Sequence, residues 1–177
     1  MFGNVLLRGL VVGALLSLAL SLAGAASASA KTFVVGPVSL EAPDDFKPVA
    51  GNVPAIRQDS SGITIEASEL PLQALHEWKG PPFLEFLKSL GYSNPAYSDG
   101  SLKRAGDYTY VLADAKGAKG PESRFLLVIG GDGRTAILTA YAPKSEIANG
   151  HASRASIESV LATATVLPAN GAPAAKP

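Results

Sequence analysis

Three extended segments joined by short glycine-bearing connections constrain this chain more than any other feature. Asp107 to Ala113, Arg124 to Ile129 and Thr135 to Tyr141 read as strands. Lys116-Gly117-Ala118-Lys119-Gly120-Pro121 turns between the first two, and Gly130-Gly131-Asp132-Gly133 between the last two, with glycines available for positive φ. Connections this short force antiparallel pairing. The middle strand is apolar on both faces, with Phe125, Leu127 and Ile129 opposite Leu126 and Val128. Such a strand is central and covered on both sides. The expectation is an α+β fold in which helices and loops cover both faces of an antiparallel sheet.

The remaining elements fit around that sheet. Thr32 to Leu40 reads as two short extended pieces joined at Gly36-Pro37, where Pro37 forces a bend or an edge. Glu41 to Phe46 reads as a turn that ends the strand, and residues 47–61 as mostly loop, with room for one short strand near Val49. Gly62 to Ser68 alternates, Ile63, Ile65 and Ala67 against Thr64, Glu66 and Ser68, as a half-buried strand does. Pro82 to Leu90 is the clearest helix. Phe83, Leu84, Phe86, Leu87 and Leu90 form one apolar face, the prolines suit its first turn and Gly91 its C-terminal cap. Leu70 to Trp78 is a candidate for a further short helix. A last helix over Ser153 to Ala162, with Ile157, Val160 and Leu161 as its stripe, leads into a short edge strand over Thr163 to Leu167.

Residues 1–30 have the parts of a secretory signal: a positive start with Arg8, an apolar middle from Gly9 to Gly24, and Ala28-Ser29-Ala30 before Lys31. An uncleaved anchor is the alternative, since the stretch approaches the length that spans a bilayer. Cleavage removes Arg8 and leaves 14 basic against 15 acidic side chains. The expected organisation is a signal peptide over 1–30, a single domain over 31–168 and a disordered Ala/Pro/Gly tail over 169–177. The chain has no cysteine, which excludes lipoprotein attachment, disulfide scaffolds, thiolate metal sites and thiol nucleophiles. Asn52, Asn94, Asn149 and Asn170 lack a glycosylation sequon, so a bacterial periplasm or secretion is the expected location. Balanced charge, 15 basic against 15 acidic residues, argues against a nucleic-acid partner or an anionic membrane surface.

The order of elements resembles the PsbP-like family, the photosystem II extrinsic proteins and their bacterial and nuclear-import relatives, including the periplasmic DcrB-like proteins. Val38-Ser39-Leu40-Glu41-Ala42-Pro43-Asp44-Asp45-Phe46 is similar to that family's opening strand, proline and turn aromatic. The helix at 82–90 stands where those proteins carry their first helix, and the meander ends in Ala142-Pro143. Ile157 to Val166 is similar to the closing helix and last strand, although Thr163-Ala164 stands where Ser-Phe is usual. The resemblance spans about residues 32–167. It implies an α/β/α sandwich and no shared catalytic set.

The chemistry-bearing residues point away from an enzyme. His76 and His151 are 75 positions apart and have no close ligand spacing, so no metal or other cofactor is expected. Asp99-Gly100 and Asp132-Gly133 lack the alternating oxygens of a calcium loop and read as turns. No Gly-x-Ser-x-Gly is present. The acidic pairs Asp44/Asp45 and Glu66/Glu69 read as ordinary exposed carboxylates.

The candidate binding site is Leu75-His76-Glu77-Trp78-Lys79-Gly80-Pro81-Pro82, which holds the chain's only tryptophan. Trp78 is the anchor, with His76 and Lys79 as polar contacts, because tryptophan concentrates at binding hot spots and loops carry function. Tyr92 and Tyr97 are candidates to line the same cleft. The alternative is that Trp78 caps the core. The functional expectation is an exported periplasmic binding or accessory module without catalytic activity, meeting a protein or small-molecule partner in the cell envelope, with no membrane contact once the signal is gone. The alternatives are a hydrolase-like envelope enzyme with a dispersed site and a protein tethered by its uncleaved signal.

Overall fold

The computed structural model describes residues 29–71, 78–131 and 133–169. Its elements, in order, are β1 (Ala30–Val35), β2 (Val38–Pro43), β3 (Phe46–Val49), β4 (Ala55–Gln58), β5 (Thr64–Leu70), α1 (Pro81–Ser89) and β6 (Ser93–Tyr97). There follow β7 (Tyr108–Gly117), β8 (Gly120–Gly131), β9 (Arg134–Pro143), α2 (Lys144–Ala148), α3 (Arg154–Ala162) and β10 (Thr165–Val166). The expected secretory segment, apart from its last two residues, and all but the first residue of the expected tail lie outside the described residues, as does Asp132.

Two antiparallel sheets form. The larger has the order β3-β4-β5-β9-β8-β7-β6 and the smaller β1-β2-β10. The meander is the centre of the larger sheet, and its strands run further than the sequence pattern reached. β7 and β8 pair from Tyr108↔Ile129 to Gly117↔Gly120, leaving only Ala118-Lys119 in the turn. β8 then pairs with β9 from Gly131↔Arg134 to Glu122↔Pro143. Both faces of β8 are buried as its sequence requires. Phe125, Leu127 and Ile129 enter one apolar cluster, Leu126 and Val128 another.

What covers the two faces differs from a simple helix-sheet-helix arrangement. The first face packs against the smaller sheet, through Phe33, Val35, Val38 and Leu40, and against Ile157, Val160 and Leu161 of α3. The second face packs against Phe83 and Leu87 of α1. The protein is therefore a mixed α+β sandwich dominated by strands, and the helix-covered description holds only in part. The reason lies in β1 and β2. Val35, Val38, Leu40 and Ala42 are buried while Val34 is 67% exposed, so these strands have one dry face and need a sheet opposite to dry it.

Other departures have similar causes. Residues 47–61 hold two strands where one was expected: the short strand near Val49 is β3, and it pairs with β4 as a hairpin from Phe46↔Gln58 to Val49↔Ala55, with residues 50–54 and 59–61 as loop. β3 accommodates Pro48 because it is an edge, and an edge tolerates proline. The segment 41–46 does not end the opening strand early, since β2 runs to Pro43. Leu70 closes β5 instead of opening a helix, and residues 72–77 lie outside the described residues. β6 and α2 had no sequence signal. β6 holds Pro95 and a register shift between Ser93 and Ala96, with Asn94 at φ 52°.

Candidate functional site

The site is built by the start of α1. Gly80 adopts φ 81°, a left-handed conformation open to glycine, and Pro81 and Pro82 then begin the helix. At the other end Gly91, at φ 88°, closes it, with its N–H on the Lys88 carbonyl at 2.9 Å and that of Tyr92 on Leu87 at 3.1 Å. Phe83 and Leu87 point into the sheet. Phe86 and Leu90 remain 47% and 59% exposed.

Trp78 stands just before this helix, partly buried and packed against the α1-side cluster. Its ring meets Phe83 edge-on, centroids 5.4 Å apart, and Phe86 at 6.1 Å. It therefore shares in the core of that face while lining an apolar groove of about 680 Å³. Leu126 and Ile137 of the sheet form its floor, and Phe86 and Leu90 belong to its helical wall. No charged side chain is among the described residues that line it. The indole Nε1 is enclosed and has no hydrogen-bond partner among the described residues.

Lys79, the next residue, goes elsewhere. Its ammonium lies 3.4 Å from Asp107 and it lines a separate cavity of about 340 Å³ with Tyr97, Tyr108 and Tyr110. The Tyr97 hydroxyl donates to the Gly80 carbonyl at 2.7 Å, and burial raises its pKa despite that bond. Tyr92 lines the apolar groove and Tyr97 the second cavity, so the two tyrosines do not share one cleft. His76 lies outside the described residues.

A polar cluster absent from the sequence reading joins α3 to β7 and the loop before it. Glu158 Oε1 accepts from Ser101 at 2.6 Å, from Arg154 at 2.7 Å and from Tyr110 at 3.0 Å. Arg154 also donates to Asp99 at 2.8 Å and to Ser101. Burial alone would raise the Glu158 carboxyl, but the hydrogen bonds from Ser101, Arg154 and Tyr110 outweigh it and hold it below the usual glutamate range. Burial, reinforced by the Glu158 charge, drives the Tyr110 hydroxyl far above the tyrosine range. The only sequence signal for this cluster was the Arg154/Glu158 spacing of four on one helix. A second group stacks the Arg124 guanidinium over Tyr141 at 4.0 Å, with Arg124 paired to Glu122 at 2.6 Å. Tyr141 donates to Glu66 at 2.6 Å, and its hydroxyl is pushed up to about 12, first by burial and then by that bond.

The acidic pairs are likewise engaged in the fold. Glu69 is held by Arg134, and Asp45 accepts from Gln58 at 2.9 Å. His151 Nδ1 lies 2.8 Å from Glu146 on an exposed surface, and among the described residues no hydroxyl bonds its ring. Among the described residues no three potential ligands gather as a metal-binding group, and no helix is long and apolar enough to cross a membrane.

This architecture defines a strand-rich α+β protein with a PsbP-like fold and an apolar groove beside its first helix. No protein-family model matches the chain, and no curated protein matches it in sequence. Solved structures do. Mog1p, a Ran-binding protein of Saccharomyces cerevisiae, superposes with a TM-score of 0.53 at 12% identity, over 81% of this chain and 98% of its own. The cyanobacterial PsbP (CyanoP) of Synechocystis sp. PCC 6803 superposes with a TM-score of 0.52, also at 12% identity, over 82% and 97%. At such identity the likeness is one of fold.

Proposed function

We propose that this protein is an exported, non-catalytic binding or accessory module of the cell envelope, related to the PsbP-like and DcrB-like proteins, and that it works through the groove beside Trp78. The observation that carries the reading is the groove itself: about 680 Å³, apolar, walled by a tryptophan and two phenylalanines, with Phe86 and Leu90 left in water. Concave apolar surfaces of this size are where small ligands and anchoring side chains bind. The polar clusters give little competing support for catalysis, because their carboxylates and arginines are spent on one another. A fold neighbour described as Ran-binding supports recognition as the role. The secretory pattern of residues 1–30 supports the envelope as the place of action.

Photo-crosslinking in cells tests this reading. A benzophenone side chain at position 86 or 90 is expected to capture a protein or a small molecule, whereas one at Val34, exposed on the smaller sheet, captures neither. Adducts from position 34 but not from 86 or 90 would move the working surface away from Trp78.

A further inference from the structure

Asparagine stands directly before glycine at two places in this chain, Asn149-Gly150 and Asn170-Gly171. That dipeptide carries chemistry of its own. The backbone nitrogen after an asparagine attacks the side-chain carboxamide, and glycine hinders the approach least because it has no Cβ. Asn52 precedes Val53, whose branched side chain crowds the nitrogen, and Asn94 precedes Pro95, whose nitrogen has no proton to give up. Asn149 and Gly150 are both exposed at the end of α2, and a Cβ built on Gly150 would meet nothing within 4 Å. We propose that Asn149 is a modification site, converted without an enzyme to aspartate and isoaspartate, and that the opening of α2 sets the rate.

Water is the co-reactant. The Gly150 nitrogen gives its proton to solvent and bonds to Asn149 Cγ. The Cγ–Nδ2 bond breaks, ammonia leaves, and a cyclic imide closes. Water then opens the ring at either carbonyl. One opening gives aspartate, and the other gives isoaspartate, in which the main chain runs through the former side chain. Overall a carboxamide and one water become a carboxylate and ammonium, with no change of oxidation state.

The folded turn holds this reaction back. Asn149 has ψ −4°, which turns the Gly150 nitrogen away from the side chain, and the Gly150 N–H donates to the Ile147 carbonyl at 3.2 Å. Ring closure requires that bond to break and ψ to rotate until the nitrogen eclipses Cβ. α2 is suited to open, with five residues, none of them buried, and no side-chain cap at its start. A helix this short is marginal by itself, and segments with few buried contacts open first. Its ties are Ile147 against the core, Lys144 on Asp114 at 2.9 Å, and the Ala152 N–H on the Glu146 carbonyl at 3.1 Å. The product adds a carboxylate at the negative end of α2, on the turn that holds Glu146, and so opposes closure of the helix.

The full chain would be incubated in mildly alkaline buffer below its melting temperature, digested, and read by mass spectrometry. The peptide that holds Asn149 is expected to gain the mass of an amide turned to an acid, in two chromatographic peaks for aspartate and isoaspartate. The peptides of Asn52 and Asn94 should stay unchanged over the same time. Unfolding in urea should speed conversion at Asn149 by at least about ten-fold, the ratio that about 1.4 kcal/mol of opening represents. Ile147→Ala removes the side chain that packs α2 on the core, and should speed conversion at Asn149 while leaving Asn170 as it was. A melting curve taken alongside shows whether that variant is folded, and Lys144→Ala, which removes the pair with Asp114, takes its place if it is not. An Asn149 peptide that stays unchanged in buffer while the urea sample converts would overturn the proposal. So would equal rates in buffer and urea, or a folded α2 variant that converts no faster than the parent.

Discussion

Leu127 has no solvent exposure and sits where β7, β8 and β9 align, paired with Tyr110 on one side and Leu138 on the other. Truncation to alanine should cost roughly 2–5 kcal/mol, because rigid strands on both sides prevent the cavity from collapsing. Urea unfolding measures this, and a loss under about 1 kcal/mol would mean the strand is peripheral. Glu158 makes a prediction of another kind. Its carboxyl titrates lower in the folded chain than in the unfolded one, where about 4.3 is usual. Its ionised form therefore stabilises the fold above that unfolded value, and the contribution is lost as pH falls through the folded value. Between pH 5 and 3 the melting temperature should fall less steeply for Glu158→Gln than for the parent. Parallel curves would show that the cluster around Arg154 contributes no pH-dependent stability. Both residues bear on what a sequence displays. Leu127 announced itself through its neighbours in the strand, whereas Ser101 and Tyr110 lie 57 and 48 positions from Glu158 and meet it only after folding.

The β1–β2 hairpin depends on the glycine at its turn. Gly36 has φ 53°, and a Cβ there would stand 2.9 Å from the Ala67 carbonyl oxygen of β5. Gly36→Ala combines a left-handed strain with a backbone clash and should cost more than about 1 kcal/mol. Gly100 has φ 82° with open space around it, so Gly100→Ala carries the strain without the clash. Equal losses for the two in chemical denaturation would show that the approach to β5 is slack. Elements with a strong period or strong stop signals were legible beforehand: β5, α1, the three meander strands and α3. In the structure Ser153 stands just outside α3 as its N-cap, accepting from the Ser156 N–H at 3.0 Å. β6 was not legible, because Pro95 breaks the alternation and its pairing is supplied by a neighbouring strand, and β3 showed only as a short strand near Val49, without its partner β4.

The whole molecule brings its first and last strands together. β2 pairs with both β1 and β10, and Val166 of β10 lies so near Gly131 that a Cβ on that glycine would be 3.2 Å away. Export would act on one end of this arrangement. Cleavage after Ala30 removes the pair Ala30↔Pro43 and leaves the pairs from Lys31↔Ala42 to Val35↔Val38, so Phe33 and Val35 keep their places in the core. N-terminal sequencing of the exported protein should begin at Lys31, and recovery of residues 1–30 with the membrane fraction would support the anchor instead. The sequence by itself determined the antiparallel meander, the doubly buried β8 and the helices α1 and α3, since side-chain period and turn chemistry act over a few residues. It also singled out Trp78. Only the tertiary structure decided that β1, β2 and β10 form a separate sheet, that Trp78 and Lys79 line different cavities, and that Glu158 gathers Ser101, Tyr110 and Arg154. A half-buried strand shows that it has a dry face but not what dries it, and a side chain's partners are set by segments that meet only when the chain closes on itself.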